Sequence, residues 1–394
     1  MKNKIEKLKI GMSCHASLGG SGVVATELGI ALAKRGHEVH FVTHQIPYRL
    51  RDMPERVYCH VVDPIDYPVL AESPYFLAIA SRICEVVEEH GVKLWHAHYA
   101  IPHAMIALLA KNILPTEHKF CLITTLHGTD ITIVGADPSL FRITKYAMEQ
   151  SCAVTAVSDW LKEQTIKEFQ LSKPVERIYN FIDTSRYLPV HRKGKKLIPS
   201  SILQNLNKDT KIIMHTSNFR AVKRVTDVIR IFSKVIEKID AILLMVGEGP
   251  EKPASVSVAR QLKVLDRVRY LGSYPQIEEL LKIADVVIQP SEYESFSMSA
   301  LEAMAMGIPV IGTKSGGITE VVLDGVTGFL CEVGDIDTMA SHTIEILTNP
   351  RLRRELSKNA RKHVKNNFSV EKIVPLYEKL YMETLQKHHQ NNIN

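Results

Sequence analysis

Short apolar runs alternate with amphipathic stretches of helix length along most of the chain. Runs that are apolar throughout predict strands buried on both faces, and helices between successive strands predict parallel pairing. In the first half the pattern predicts strands at 9–14, 38–43, 57–62, 93–97, 120–126, 153–157 and 176–179, with helices at 23–35, 74–90 and 102–112. In the second half it predicts strands at 211–216, 241–246, 268–271, 286–289 and 310–312. Each half is therefore expected to fold as a doubly wound α/β unit.

A chain of 394 residues is long enough for two or three domains at roughly 150 residues each. The junction is expected near 180–196, where the last strand of the first half ends and Pro189 precedes a basic stretch, to which we assign no function. We therefore predict an N-terminal domain over 1–185 and a C-terminal domain over 186–367. No apolar run is long enough to span a membrane, and the first eight residues lack the hydrophobic segment of a secretory signal.

Composition narrows the class of protein. Hydrophobic residues make up 45% and charged residues 23%, which excludes a disordered or fibrous chain. The net charge is +6, from 49 basic and 43 acidic residues, which suits small anionic ligands and is too weak to indicate nucleic acid. The six cysteines show no paired spacing, and most lie in apolar runs, so we expect reduced, buried thiols and a cytoplasmic protein.

Doubly wound sheets bind ligands at the carboxyl ends of their strands, so the loops that follow strands carry most of the information. Gly19, Gly20, Ser21 and Gly22 come between the first strand and the first helix. Glycines allow close approach of a ligand, and a helix N-terminus offers unpaired N–H groups to a phosphate. The run matches neither the GxGxxG nor the Walker pattern, and a ligand-free turn explains it equally well.

Histidines cluster after two strands of the first half. His96 and His98 share one face of a strand, His103 follows, and His127 and Asp130 come after a later strand. These groups are potential metal ligands, but no motif such as HExxH fixes them at metal spacing. Hydrogen bonding or substrate contact is the more common role of such histidines, so we predict no metal site here.

Three cations, Arg220, Lys223 and Arg224, follow the first strand of the second half. Guanidinium and ammonium groups at this position suit a diphosphate leaving group. A solvated helix start is the alternative, but cations at a helix N-terminus oppose the helix dipole. We therefore favour a ligand role.

Seven residues separate Glu294 from Glu302. Over eight helical steps this spacing corresponds to about 12 Å of rise, which is too far for the paired carboxylates of a glycosidase. The spacing fits two hydroxyl-bearing ends of one extended ligand, with phosphates near the helix N-terminus. Gly316 and Gly317 then open another helix through a second glycine loop.

The glutamate pair, the glycine loop and the two α/β halves together resemble the retaining glycosyltransferases of GT-B architecture in family four. The narrower resemblance is to those members that transfer N-acetylglucosamine to L-malate in the first step of bacillithiol biosynthesis. It is carried by the segments 13–22, 36–41, 96–103, 124–130, 179–183 and 217–224.

The resemblance implies two Rossmann-like domains facing across a cleft, with the last helix, about 368–390, returning to the first domain. It implies UDP-N-acetylglucosamine as the donor and L-malate as the acceptor. It implies no metal, cofactor, nucleic-acid partner or membrane partner, and it is compatible with a homo-oligomer. The residues implied as catalytic are Lys223, Arg220, Glu294 and His127. The donor-binding residues implied are Gly19, Gly20, Asn218, Arg224, Gly247, Ser295, Phe296 and Glu302. The acceptor-binding residues implied are Ser17, Tyr99, Thr125 and Asn180.

Three places depart from the family pattern, one of which is His15 and Ala16, where the narrower group carries Tyr-Pro. Asn218 stands where the wider family carries an arginine five residues before the lysine, so the diphosphate contact is open between Arg220 and Arg224. Ser297 replaces a glycine close to the expected phosphates. Three alternative functions also stay open: transfer to another sugar or lipid acceptor, a non-catalytic nucleotide-sugar sensor, and a metal hydrolase built on His96, His98 and His127.

Overall fold

The computed structural model describes residues 6–16, 19–63, 74–188, 207 and 209–393. The chain forms two compact units. The N-terminal unit comprises Met1–Asn180 with Glu371–Asn394, and the C-terminal unit comprises Phe181–Val370. The sequence-based boundary at 185/186 comes slightly later in the chain, and the basic part of the expected junction, 191–196, lies outside the described residues.

The N-terminal unit is built on a parallel sheet of seven strands in the order β3-β2-β1-β4-β5-β6-β7. The strands are β1 (Lys9–Ser13), β2 (Glu38–Thr43), β3 (Val57–Val61), β4 (Leu94–His98), β5 (Cys121–Leu126), β6 (Ala153–Ala156) and β7 (Val175–Arg177). The helices are α1 (Ser21–Lys34), α2 (Tyr75–His90), α3 (Met105–Ile113), α4 (Thr129–Thr132), α5 (Phe141–Gln150) and α6 (Asp159–Phe169). Every residue of β4 and β5 is buried, including the two histidines of β4, as expected of strands covered on both faces.

Close packing at the centre of this sheet depends on one glycine. Gly11 on β1 lies under the Trp95 ring, and a Cβ at Gly11 would come within 2.0 Å of Trp95 Cε3. The indole is fully buried, and its Nε1–H donates to Ser13 Oγ at 3.1 Å. The pairing of β1 with β4 therefore brings the loops after these two strands together.

The last helix of the chain, α14 (Val370–Ile393), completes the N-terminal unit. Glu378 accepts hydrogen bonds from the Arg35 guanidinium at 2.9 and 2.6 Å and lies 3.0 Å from His37 Nε2. Tyr381 is fully buried, and its hydroxyl lies 2.8 Å from His96 Nδ1. The helix is therefore held by charged and aromatic contacts as well as by apolar packing.

The C-terminal unit contains a parallel sheet of six strands in the order β10-β9-β8-β11-β12-β13. The strands are β8 (Lys211–Thr216), β9 (Ala241–Val246), β10 (Val268–Gly272), β11 (Val286–Gln289), β12 (Val310–Thr313) and β13 (Gly328–Cys331). The helices are α7 (Val225–Ile236), α8 (Lys252–Gln261), α9 (Ile277–Leu281), α10 (Met298–Ala305), α11 (Ile318–Val321), α12 (Ile336–Thr348) and α13 (Pro350–Asn367). The predicted α/β class and the parallel sheets are confirmed.

Three details differ from the sequence-based expectations. The strand β13 was not predicted, because it begins with Gly328, which interrupts the apolar pattern. The helix predicted at 102–112 begins at Met105, because Ile101 precedes a proline and has an extended backbone. Half of the cysteines are not fully buried: Cys59 and Cys84 are half-buried and Cys152 is exposed. In the described part of the chain, no helix is both long and apolar enough to cross a membrane.

Candidate active site

In the C-terminal unit the strand order reverses between β8 and β11, and the loops after these strands lie side by side. The Gln289 amide donates to the Thr216 carbonyl at 3.1 Å, which ties the two strand ends together. The Glu292 N–H donates to the Val222 carbonyl at 2.8 Å, which ties the two loops. Reversal points of this kind are where doubly wound sheets bind ligands.

An ion pair connects these loops. Lys223 ends a single 3₁₀ turn after β8, and its Nζ lies 2.8 Å from both carboxylate oxygens of Glu294. The Ser291 hydroxyl donates to Glu294 Oε1 at 2.7 Å. Glu294 is 8% exposed, whereas the Lys223 side chain keeps 19% of its surface. The carboxylate is thus fixed and nearly buried, and the ammonium group still reaches solvent.

The backbone of Glu294 is held by the glycine loop before α11. The Gly317 N–H donates to the Glu294 carbonyl at 2.6 Å, and a Cβ at Gly316 would come within 2.3 Å of that carbonyl oxygen. Gly316 also has φ +78°, so two independent constraints require glycine there.

The expectation that a helical rise separates Glu294 from Glu302 was wrong. Glu294 forms an isolated bridge with Gly316, and α10 begins only at Met298. Glu302 is the only one of the two on a helix, so a helical rise does not give their separation.

The residues between Glu294 and α10 turn sharply into the helix. Phe296 is buried, and its ring packs edge-on against Phe368 with centroids 5.7 Å apart. Ser297 has φ 77° and ψ 77°, a left-handed conformation that disfavours side chains. Its buried hydroxyl has no hydrogen-bond partner among the described residues. Ser295, Phe296 and Ser297 therefore form a compact turn that leads into the first turn of α10.

Glu302 lies on α10 and is half-buried. The Tyr187 hydroxyl donates to Glu302 Oε1 at 3.1 Å, and Tyr187 itself is 4% exposed. Burial, and then the nearby Glu302 charge, raises the pKa of Tyr187, so the tyrosine stays neutral and acts as a donor. This hydrogen bond fixes one carboxylate oxygen.

The two candidate arginines differ in their surroundings. Arg224 has φ 48° at the start of α7 and forms an ion pair with Asp227 at 2.5 Å. Asp227 also binds Arg230 at 2.6 Å. Arg220 and Asn218 are exposed in the loop after β8. Arg220 is therefore the arginine of this loop whose side chain extends into solvent.

The turn after β9 approaches this loop closely. Gly247 has φ +125°, and a Cβ there would come within 1.8 Å of the Ser217 carbonyl oxygen. His215 supports the same loop from inside the unit, with Nδ1 2.8 Å from the Ile288 carbonyl and Nε2 2.8 Å from Ser217 Oγ. Burial lowers the pKa of His215 to about 4, so the imidazole is neutral at pH 7.

In the N-terminal unit the corresponding reversal lies between β1 and β4. Gly20 is the N-cap of α1 with φ 60°, and among the described residues no side chain caps this helix of 14 residues. No atom of a described residue lies within 4 Å of a Cβ added at Gly19 or Gly20. On the side of the described residues, this helix N-terminus therefore leaves room for an anion. Ser17 lies outside the described residues.

His127, Tyr99 and His98 form a group of rings beyond β4 and β5. His98 Nδ1 lies 2.9 Å from His127 Nε2, and the Tyr99 and His127 ring centroids are 5.3 Å apart. Burial, and then the neighbouring His15, lowers the pKa of His127 to about 3. A neutral imidazole at this position can accept a hydrogen bond from a sugar hydroxyl or donate one to a sugar or carboxylate oxygen. It does not supply positive charge.

Asp130 organises the backbone around this group. Its carboxylate accepts hydrogen bonds from the N–H groups of Ala100 at 3.0 Å, His127 at 3.1 Å and Gly128 at 2.9 Å. Burial nevertheless raises the pKa of Asp130 to about 6. The residue is thus a support for the loops after β4 and β5.

Thr125 and Asn180, the other acceptor residues expected in this unit, are both buried. Thr125 Oγ1 lies 2.7 Å from His96 Nε2 and 2.7 Å from Thr155 Oγ1. Asn180 is 4% exposed, and its Oδ1 has no hydrogen-bond partner among the described residues. The His96 contacts with Thr125 and Tyr381 engage both of its ring nitrogens.

Several supporting residues were not found from the sequence: Ser291, Tyr187, His215 and His98 as the partner of His127. Ser291 follows a strand end and could have been found from the rule that the loops after strands bind ligands in doubly wound sheets. Tyr187 and His215 act through contacts between distant segments, for which the sequence pattern gives no signal.

Two family models match the chain. Residues 18–186 match the model for Glycosyltransferase Family 4, and residues 202–363 match the model for Glycosyl transferases group 1. Together they span most of both units.

Among curated proteins, the chain is similar to the N-acetyl-alpha-D-glucosaminyl L-malate synthase of Bacillus anthracis, with 44% identity over 96% of this chain and 98% of the relative. Among solved structures, it is similar in fold to the sucrose-phosphate synthase of Thermosynechococcus elongatus, with a TM-score of 0.78, 20% identity, and coverage of 97% of this chain and 100% of that one. The Anabaena protein HepE, crystallised with UDP and glucose, gives a TM-score of 0.80 at 18% identity, covering 95% of this chain and 100% of that one.

Proposed function

Because the chain belongs to the glycosyltransferase family that includes the N-acetyl-alpha-D-glucosaminyl L-malate synthase of Bacillus anthracis, we propose that it makes the same transfer. The donor is UDP-N-acetylglucosamine, the acceptor is the hydroxyl group of L-malate, and the anomeric configuration is retained. This reaction is the first step of bacillithiol biosynthesis. The observation that carries the proposal is the 44% identity over nearly the full length of both chains.

We assign the donor to the C-terminal unit. Glu302 binds the ribose hydroxyls, and the Tyr187 hydroxyl holds one of its carboxylate oxygens in place. The phosphates lie against the turn of Ser295 and Phe296 before α10, and the Gly247 turn allows the backbone to come close. Lys223 and Arg220 offset the negative charge of the leaving diphosphate, because both reach solvent beside the reversal point.

The proposed chemical step needs no protein nucleophile. The bond between the anomeric carbon and the phosphate oxygen breaks while the malate oxygen bonds to the same face of that carbon. The malate hydroxyl proton passes to the departing β-phosphate of UDP. Glu294 is held by Lys223 and Ser291, which suits it to orient the hexose rather than to attack it. The protein contributes orientation and electrostatic stabilisation.

We assign L-malate and part of the diphosphate to the N-terminal unit. The accessible N-terminus of α1 at Gly19 and Gly20 supplies N–H groups to an anion. Tyr99 and the neutral imidazole of His127 supply hydrogen bonds near the hexose and the acceptor. Ser17, Thr125 and Asn180 complete the proposed acceptor contacts. We place this activity in the cytoplasm, without nucleic-acid or membrane partners. The proposed function is compatible with a homo-oligomer.

The test is UDP release from UDP-N-acetylglucosamine, measured with and without L-malate in buffer that contains EDTA. We expect release that depends on malate, survives EDTA, and accompanies a product with the mass of N-acetylglucosaminyl malate. Lys223→Ala should slow this release, and Lys252→Ala is its matched control, because Lys252 forms a surface ion pair with Glu248 at 2.8 Å, the distance of the Lys223–Glu294 pair.

Each other outcome points to a different function. Release that requires a different acceptor would move the assignment to another sugar or lipid transferase. Binding of UDP-N-acetylglucosamine without release under any acceptor would identify a nucleotide-sugar sensor. Activity abolished by EDTA would return the histidines of the N-terminal unit to consideration as metal ligands.

A further inference from the structure

Two clusters in the N-terminal unit bring together side chains that bind metals. Within each cluster the ligand atoms lie within 4.8 Å of one another. Among the described residues, the clusters are His40 with His60 and His90, and Cys121 with Cys152 and His388.

The histidine cluster is explained by hydrogen bonds. His40 Nδ1 lies 3.0 Å from His60 Nε2, and His40 Nε2 lies 3.0 Å from Glu38. Arg82 lies 3.3 Å from the other ring nitrogen of His60. This chain of contacts engages both nitrogens of His40 and of His60 without an ion. The cationic Arg82 would also oppose a metal at this point.

The cysteine cluster joins three elements. Cys121 is the first residue of β5, and Cys152 directly precedes β6, its neighbour in the sheet. The Cys152 N–H donates to the Leu122 carbonyl at 2.7 Å, which fixes the two cysteines beside each other. His388 comes from α14, and the Thr384 carbonyl one turn earlier lies 3.9 Å from Cys121 Sγ. Ligands from separate segments converge here without any sequence motif.

We propose that Cys121, Cys152 and His388 bind one Zn²⁺ ion, with water as the fourth ligand. Two thiolates and one imidazole form a preferred ligand set for this ion. With Zn–S of about 2.3 Å and Zn–N of about 2.0 Å, tetrahedral ligand atoms lie about 3.5–3.8 Å apart, so closing the site needs only a small contraction. The metal with two thiolates and a neutral imidazole has no net charge, which suits a site beside lysines.

The charges around the cluster favour the ligating form of Cys152. Lys111 and Lys173 both place positive charge near the Cys152 sulfur, which favours a thiolate there. Thiolates, rather than thiols, bind zinc.

The position of the cluster points to a structural ion. Both cysteines lie at the amino-terminal ends of their strands, whereas the candidate active site lies at the carboxyl ends. A zinc ion here would attach the end of α14 to β5 and β6. It would therefore stabilise the unit without taking part in sugar transfer.

Cobalt substitution tests this site in the full chain. Reduced, metal-free protein is titrated with Co²⁺ and then with Zn²⁺, and the near-ultraviolet absorption from thiolate-to-cobalt charge transfer is recorded. We expect the band to saturate at one Co²⁺ per chain and to disappear when Zn²⁺ is added. Cys152→Ser and His388→Ala should each weaken zinc binding by at least about tenfold. Even mutation of a residue that only hydrogen-bonds to a metal ligand often lowers metal affinity by about 10–100-fold.

Cys84→Ser is the matched control, because Cys84 is a half-buried thiol on α2 outside the cluster. It should leave the cobalt band and the zinc affinity unchanged. Circular dichroism checks that each variant folds. If Cys152→Ser does not fold, His388→Ala on α14 still tests the site. No thiolate band, or the same band in both ligand variants, would overturn the proposal. Formation of a Cys121–Cys152 disulfide with peroxide, without cobalt binding, would also overturn it in favour of a redox pair.

Discussion

Lys223 and Glu294 form an ion pair in which one ammonium nitrogen lies 2.8 Å from both carboxylate oxygens. The two residues are 71 positions apart in sequence, and each follows a strand at the reversal point of the same sheet. The pair holds a cation beside the expected leaving group and fixes the carboxylate expected to contact the hexose.

Lys223→Ala should lower kcat by about 10²–10³-fold, the usual cost of losing one electrostatic contact to a transition state. The KM for the donor should change much less, because the charge acts mainly on the departing diphosphate. Steady-state UDP release at varied donor concentration separates the two effects. Lys252→Ala should have wild-type kinetics, and equal losses in binding and turnover for Lys223→Ala would contradict the leaving-group role.

Glu302→Gln should weaken UDP binding by about 10- to 100-fold, since a hydrogen bond to a charged group contributes about 1.5–3 kcal/mol. Isothermal titration calorimetry with UDP measures the change directly. Glu332→Gln, at an exposed carboxylate, is the control. An unchanged Kd for Glu302→Gln would exclude the ribose contact.

Gly247→Ala should destabilise the protein by about 3 kcal/mol or more, because the added Cβ would overlap the Ser217 carbonyl. The clash also displaces the loop that carries Asn218 and Arg220, so UDP binding should weaken. Gly91→Ala is the control: it has φ +67° but no atom within 4 Å of the new Cβ, so it should cost about 1 kcal/mol. Urea unfolding curves compare the two, and equal losses would show that backbone strain alone accounts for Gly247.

Ser297→Gly should stabilise the protein by about 1 kcal/mol, because it relieves a left-handed backbone. It also removes a buried hydroxyl that lacks a hydrogen-bond partner among the described residues. Ser299→Gly, inside α10, should instead destabilise by about 1 kcal/mol. Thermal unfolding of the two variants gives opposite shifts in Tm; a lowered Tm for Ser297→Gly would mean that its side chain has a stabilising role.

The N-terminal unit should lose stability as the pH falls below about 6.5, the unperturbed pKa of histidine. Burial lowers the pKa values of His96 and His127 to about 3, and it lowers those of His98 and His103 well below the ordinary value. The unfolded chain therefore binds protons first, and each histidine costs about 1.4 kcal/mol per pH unit between its two pKa values.

Asp130 acts in the opposite direction, since burial raises its pKa to about 6 and the folded state takes up its proton first. One carboxyl group offsets only part of the effect of four histidines. Urea unfolding at pH 7 and pH 5 measures the balance. His103→Phe should reduce the pH dependence, because it removes one of the four buried histidines. Equal stability at both pH values would contradict the prediction.

The sequence predicted the elements that carry strong local patterns. Continuous apolar runs such as Ala241–Val246 identified buried strands, because parallel strands are covered on both faces. The position of cations directly after a strand pointed to Lys223, since a reversal point brings such loops together, whereas Gly247 was only implied by the family resemblance. These signals depend on residues close in sequence.

Contacts between distant segments were not predictable in this way. The separation of Glu294 and Glu302 was taken from the rise of eight helical steps, but Glu294 lies before the helix and forms a bridge with Gly316. Tyr187 reaches Glu302 across 115 positions, and no periodicity encodes that contact. The left-handed conformation of Ser297 was equally hidden, because serine gives no signal for it.

Helix α14 has a consequence for how the protein is made. The N-terminal unit includes Glu371–Asn394, so its final segment leaves the ribosome only after the whole C-terminal unit. Until then His96 lacks its Tyr381 contact, and Arg35 and His37 lack Glu378. Translation of the N-terminal unit therefore begins before that of the C-terminal unit and is completed after it, and a nascent chain stalled before Glu371 presents the N-terminal unit unfinished to chaperones and proteases.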